Sequence, residues 1–193
     1  DTNNNGSATS PAKGDWLALS TGAAGQVQMS YANLRYGGYS TPSSIVNVQN
    51  GSTATLNHVG VSDSAGYGVR VYLTNSSAET ATLTVTNSTI ANNSDTGVYV
   101  YGGTTDVVAL TLEGNTFSGN SYRAIQIDLN PVTALSLLNN TGTGDGNNSI
   151  YLSGTLNLNH SLPANNGMPY WIQGLTVPAG KTAEAKNEAK SEI

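Results

Sequence analysis

The sequence predicts an all-β fold, a solenoid of short parallel strands wound in about six to seven coils of three strands each. Three observations predict it: an apolar frame that recurs every 25 to 29 residues, a second apolar pair interleaved with it, and turn-forming clusters between them. Alternation of two marks a strand with one buried face, and clusters of Gly, Asn, Ser and Asp mark turns.

The frame is clearest in Leu83, Val85, Asn87 and Ile90, with apolar residues at relative positions 1, 3 and 8 and a polar turn residue at 5. It fits Val27, Met29, Tyr31, Leu34, then Ala54, Leu56, His58, Val61, then Leu110, Leu112, Gly114, Phe117, and more weakly Leu135, Leu137, Asn139, Gly142. Between the copies run the pairs Leu17/Leu19, Val46/Val48, Val69/Val71, Val98/Val100, Ile125/Ile127, Ile150/Leu152 and Tyr170/Ile172. Each period therefore holds two strands, and the isolated Val61, Ile90 or Phe117 implies a third. A unit this short cannot bury its own apolar side, whereas stacked units can.

Competing repeats fail on their own requirements. A leucine-rich repeat needs a regular Asn in an L-x-x-L-x-L frame, a propeller blade needs about 40 residues, and a β-sandwich does not predict equal register in every unit. A parallel β-helix remains, its coils about 4.8 Å apart. Crossovers between parallel strands are overwhelmingly right-handed, so the expected hand is right. The expected core rows are Val48, Val71, Val100, Ile127 and Leu152 on one wall and Leu56, Val85, Leu112 and Leu137 on another.

Composition agrees. Charged residues make up only 10% of the 193 residues and the net charge is −5, against about 25% charged in ordinary domains. Asn, Ser, Thr and Gly must keep the chain soluble, a balance that suits a secreted or cell-surface β protein. An acidic chain offers no basic surface to a phosphate backbone, so no nucleic-acid partner is expected. No apolar run approaches the roughly 18 residues of a membrane helix, and no membrane insertion is expected. The chain has no Cys, which removes disulfides and thiol chemistry. It begins at Asp1 without a signal peptide and reads as a mature fragment or a piece of a longer protein.

The runs Asp1 to Ser7, Gly14-Asp15-Trp16 and Tyr31 to Gly38 resemble the opening of a right-handed β-helix module similar to the pectate-lyase superfamily of bacterial secreted and surface proteins. Tyr170 to Thr182 looks like the start of a further module. The resemblance spans residues 1–182, with 1–15 as an N-terminal edge loop, and implies neighbouring solenoid modules as partners. Residues 183–193 depart from it; their Ala/Glu/Lys composition reads as a helical or disordered tail. The architecture hosts lyases, hydrolases, adhesins and inert stalks alike, so function has to be argued from side chains.

Catalysis is not expected. Glycoside hydrolysis needs two carboxylates about 5 to 9.5 Å apart, yet the Asp residues sit mostly isolated in Gly/Ser/Asn loops and none pairs with another locally, and the Asn-Thr-Asp, Asp-Asp and Gly-His-Gly signatures of polygalacturonase-like members are absent. Elimination needs a carboxylate cluster and a basic residue; Arg70, flanked by inward Val69 and Val71, points outward with no acidic cluster placed beside it. His58 falls where Asn87 and Asn139 fall in other coils, a turn position from which a side chain can bond the next coil's backbone. His160 falls in an irregular loop.

The register converts the chain into a surface map. Asn47, Arg70, Tyr99, Gln126, Tyr151 and Trp171 form an outward column, with Tyr72 and Tyr101 two residues further along. Flat rings flanked by amide and guanidinium groups suit a glycan or protein ligand, and Arg70, Tyr72, Tyr99, Tyr101, Gln126, Tyr151 and Trp171 are the candidate binding residues; Tyr as a favoured strand residue is the plain alternative. A second column of Thr53, Thr55, Thr82, Thr84, Thr86 and Thr111 resembles an ice-binding array, but Ala109, Glu113, Ser136 and Leu138 break it. The loop Asp1, Asn3, Asn5, Ser7 partly matches a calcium loop, with Ala12 where the bidentate Glu belongs. No cofactor is expected beyond a weak structural Ca²⁺ at that loop. The sequence-level reading is a non-catalytic structural or adhesive module, with a carbohydrate-active β-helix as the alternative and an ice-binding solenoid as the minor one.

Overall fold

The computed structural model describes residues 9–41, 43–73, 78–185 and 189–191. The first coil holds β1 (Leu19–Ser20), β2 (Gln26–Ser30) and β3 (Asn33–Arg35); the second holds β4 (Ser44–Val48), β5 (Ser52–Asn57) and β6 (Gly60–Ser62). The third holds β7 (Tyr67–Tyr72), β8 (Thr80–Thr86) and β9 (Thr89–Ala91), and the fourth β10 (Val98–Tyr101), β11 (Val107–Glu113) and β12 (Thr116–Ser118). The fifth holds β13 (Arg123–Asp128), β14 (Val132–Leu138) and β15 (Thr141–Thr143), the sixth β16 (Asn147–Thr155) and β17 (His160–Leu162). Then follow β18 (Tyr170–Thr176), β19 (Ala183–Ala185) and β20 (Ala189–Ser191).

Every ladder is parallel, and each strand pairs with the equivalent strand one coil away. The long sheet runs β1-β4-β7-β10-β13-β16-β18-β20, flanked by β14-β11-β8-β5-β2 and β15-β12-β9-β6-β3, with β17-β19 as a small fourth pair. Six full turns separate β1 from β18.

The expected rows are present. Val48, Val71, Val100, Ile127 and Leu152 lie in register on the long sheet, and Met29, Leu56, Val85, Leu112 and Leu137 on the second. The third strand supplies Leu34, Val61, Ile90 and Phe117, ending at Gly142, where Met168 fills the space a side chain would take. Nearly all are fully buried, each contributing on the order of 2 kcal/mol by taking its apolar surface out of water.

Two corners of each coil are built alike. Turn position 5 of the frame, Tyr31, His58, Asn87, Gly114 and Asn139, is a column of left-handed residues with φ between 50° and 65°. A second such column holds Tyr36, Asp63, Asn92, Gly119 and Gly144. One residue after each column lies an inner ladder of side chains. In the first, Asn115, Asn140 and Asn165 each donate Nδ2–H to a carbonyl of the preceding coil, those of Val85, Leu112 and Leu137. Their Oδ1 atoms accept from the backbone N–H groups of Ser88, Asn115 and Asn140.

Four expectations change. His58 does not bond the next coil's backbone: its ring stacks on Tyr31 at 4.8 Å and its Nδ1 meets Asn57, because a left-handed residue aims its side chain out while the next residue aims in. Leu17 is 51% exposed, and Leu19 rather than Leu17 aligns with Val46; buried Thr21 follows at the end of β1, its Oγ1 accepting from Gln49 N–H. His160 is not in an irregular loop but opens β17, its Nε2 buried. The described parts of 183–193 are strands, not helix or disorder, because the edges of β17 and β18 offer unpaired backbone groups that override intrinsic propensity.

Candidate ligand-binding face

On the outer side of the long sheet the register sets Asn47, Arg70, Tyr99, Gln126, Tyr151 and Trp171 one above another. Tyr72 and Tyr101 form the adjoining pair. The sheet therefore carries one large polar or aromatic side chain per coil from Arg70 to Trp171.

The rings do not lie flat on this face. Tyr67 and Tyr99 stack at 4.9 Å, Tyr72 and Tyr101 at 5.2 Å, and Tyr99 sits 6.4 Å from both Tyr72 and Tyr101. Rings one coil apart find each other before they find solvent, since coil spacing is close to the distance at which aromatic planes stack. The Arg70 guanidinium covers the Tyr72 ring at 3.8 Å. A second cluster has Arg123 over Tyr151 at 3.9 Å and over Tyr122 at 4.2 Å, with Nη1 donating to Gln126 Oε1. Tyr151 is consequently only 9% exposed, not the open platform the column implied, whereas Tyr72 and Tyr101 are each 39% exposed. What the first cluster presents is ring edges, phenol hydroxyls and a stacked guanidinium. Burial, reinforced by neighbouring phenols, pushes the Tyr99 hydroxyl up to about 12, and burial with Asp95 alongside raises that of Tyr67.

Tyr67 and Arg123 belong to these clusters although strict alternation assigns both to the interior. Two strands of the long sheet carry two consecutive inward residues after their first one, Gly68-Val69 in β7 and Ala124-Ile125 in β13, and the register slips between Arg123 and Ile125. The signal was the small residue before the apolar pairs of the central coils, Gly68, Gly97 and Ala124. A Cβ at Gly97, the equivalent position just before β10, would meet the Ala124 carbonyl and the Phe117 ring, so the chain passes too close there for a side chain.

The outward Thr residues of the second sheet fall as expected: Thr53 beside Thr82 and then Ala109, and Thr55, Thr84, Thr111 and Ser136 in one line. The third sheet bears a groove of about 650 Å³, floored by Gly60, Ser62 and Ala91 and walled by His58, Asn87 and the Arg35–Asp63 ion pair at 3.1 Å. The calcium-loop residues Asp1, Asn3, Asn5 and Ser7 lie outside the described residues. Among the described residues no three His, Cys, Asp or Glu gather as a metal site, and no helix is long and apolar enough to cross a membrane. Three of the carboxylates serve turns: Asp95 accepts from Thr96 N–H, Asp106 from the N–H groups of Gly103 and Glu79, and Asp128 from Asn130 N–H.

No curated protein and no solved structure matches the chain. The family model described as the right handed beta helix region matches residues 43–166, more than half of the sequence, and in agreement with the stacked parallel coils the chain belongs to that family.

Proposed function

We propose that this chain is a non-catalytic display solenoid of a secreted or cell-surface protein, set in series with similar units, and that the outer face of its long sheet binds an extended carbohydrate. The observation that carries the reading is the outward column, which repeats a polar or aromatic side chain once per coil over five coils from Arg70 to Trp171. A polymer lying along the solenoid meets the same spacing of about 4.8 Å again and again, so weak contacts add along its length. Because the Tyr faces are occupied by each other and by Arg70, recognition runs through hydroxyl, guanidinium and amide groups that bond sugar hydroxyls. A face of stacked, packed side chains is rigid, and less ordering entropy is lost on binding. The turn-bound carboxylates favour display over turnover.

A glycan array identifies a ligand, and titration calorimetry on the best hit then compares Arg70→Ala and Tyr101→Ala with Thr84→Ala on the second sheet. The first two variants are expected to weaken binding at least about tenfold, or 1.4 kcal/mol, and the third to leave it unchanged. Equal behaviour of all three sinks the assignment of the face. Release of reducing or unsaturated product from the hit would turn the reading to the carbohydrate-active alternative.

A further inference from the structure

The second inner ladder ends on a carboxyl group. In it, Asn93 accepts at Oδ1 from Ser64 N–H and donates Nδ2–H to the Val61 carbonyl. Asn120 accepts at Oδ1 from Asn93 and donates to the Ile90 carbonyl. Each rung thus uses its oxygen toward the preceding ladder residue and its NH₂ toward the third-strand residue of that coil. Asp145 is the next rung. Its Oδ1 accepts from the N–H and Nδ2–H of Asn120 at 2.8 and 2.7 Å, just as an Asn would. Its Oδ2 takes the place of the NH₂ and is buried without a hydrogen-bond partner, in a residue only 9% exposed.

The register names the group that this rung would serve. Val61, Ile90 and Phe117 lie in line on the third sheet, so the carbonyl that an amide at 145 would serve is that of Phe117. An ionised carboxylate following the same pattern would set two acceptors against each other. We infer that Asp145 closes the ladder as a neutral carboxylic acid, its Oδ2–H donating to the Phe117 carbonyl, which makes this corner of the solenoid a proton-binding site that holds the last coils most firmly in acid.

The surroundings agree. Burial raises Asp145 above its ordinary value of 3.8, only partly offset by hydrogen bonds from Asn120 and the backbone, with no charged neighbour contributing. The pocket of about 370 Å³ beside it has no other charged side chain, and Tyr170, its one other titratable group, is itself raised by burial. An acid raised in the folded state holds its proton there more tightly than in the unfolded chain. Stability from this group is full below about 3.8 and falls as pH rises through that value toward the folded one.

Asp145→Asn supplies the missing donor permanently and is the test. Thermal unfolding of the whole chain is followed from pH 3 to pH 8 for both proteins. The variant is expected to match the parent near pH 3 and to unfold roughly 3 to 8 °C higher at pH 7, with slower amide exchange across Asn147–Thr155. In the parent, the Asp145 carboxyl carbon should titrate by NMR with a midpoint above 3.8. A gap that does not change with pH, a variant less stable at pH 7, or a midpoint at or below that value overturns the inference. So does stabilisation by Ca²⁺ that vanishes in the variant, since that would assign the second oxygen to a cation.

Discussion

Asn and the left-handed conformation do most of the local work. Asn is among the few residues that visit positive φ at low cost, and its amide can donate and accept at once. Pairs such as Asn92-Asn93 and Gly119-Asn120 exploit both properties, the first residue turning the chain outward and the second reaching inward. Replacing Asn120 by Ala strips a partner from the Asn93 N–H and Nδ2 and from the Ile90 carbonyl, all buried. A loss of about 3 kcal/mol is expected, measured by urea unfolding. At position 58, His→Val puts a β-branched residue at φ 55° and should cost about 1 to 2 kcal/mol, whereas His58→Gly should be tolerated. Tyr99 offers a spectroscopic check. Its phenol, raised to about 12, stays protonated in the folded state after unfolded phenols ionise, so stability falls as pH rises from 10 toward 12. Tyr99→Phe should flatten that decline in an alkaline melting series.

At the level of the strand, each element is too short to stand alone and takes its backbone partners from the coils above and below. Val100 in β10 is fully buried between Val71 and Ile127. Val100→Asp sets an unpaired carboxylate in that row, and more than about 4 kcal/mol should be lost, with loss of the cooperative transition by far-UV circular dichroism. A normal melting curve for this variant would refute the row. Phe117, the single Phe, is fully buried in the third-strand row, and Phe117→Ala is expected to cost about 3 to 5 kcal/mol. The tail shows the reverse relation, in which a helix-favouring composition yields to an available strand edge. Propensity decides only where no partner competes.

For the molecule as a whole, stability is nearly a sum of coils and of the contacts between neighbours. Interior coils have two neighbours and terminal ones fewer, so amide exchange should be slowest at Val69, Val98 and Ile125 and faster at Leu19 in the edge strand β1. Uniform protection along the chain would argue against coil-by-coil additivity. The same repetition produces the outward column, since one residue choice per coil becomes a line on the surface.

Much of this was legible in the chain because period and alternation are linear properties. The recurrence of Leu56, Val85, Leu112 and Leu137 was enough to define the solenoid, its register and the outward order of Arg70, Tyr99, Gln126, Tyr151 and Trp171. Tertiary structure alone decided what happens at corners, where alternation stops. There Gly68-Val69 and Ala124-Ile125 both turn inward, bringing Tyr67 and Arg123 to the surface. It also decided that the tyrosines face each other, that Arg123 covers Tyr151, and that Asp145 meets the ladder with a buried oxygen. The reason is physical: a strand's pattern states which side a residue takes, while the direction of a ring or a lone pair depends on neighbours about 25 to 29 residues away in sequence and one coil away in space.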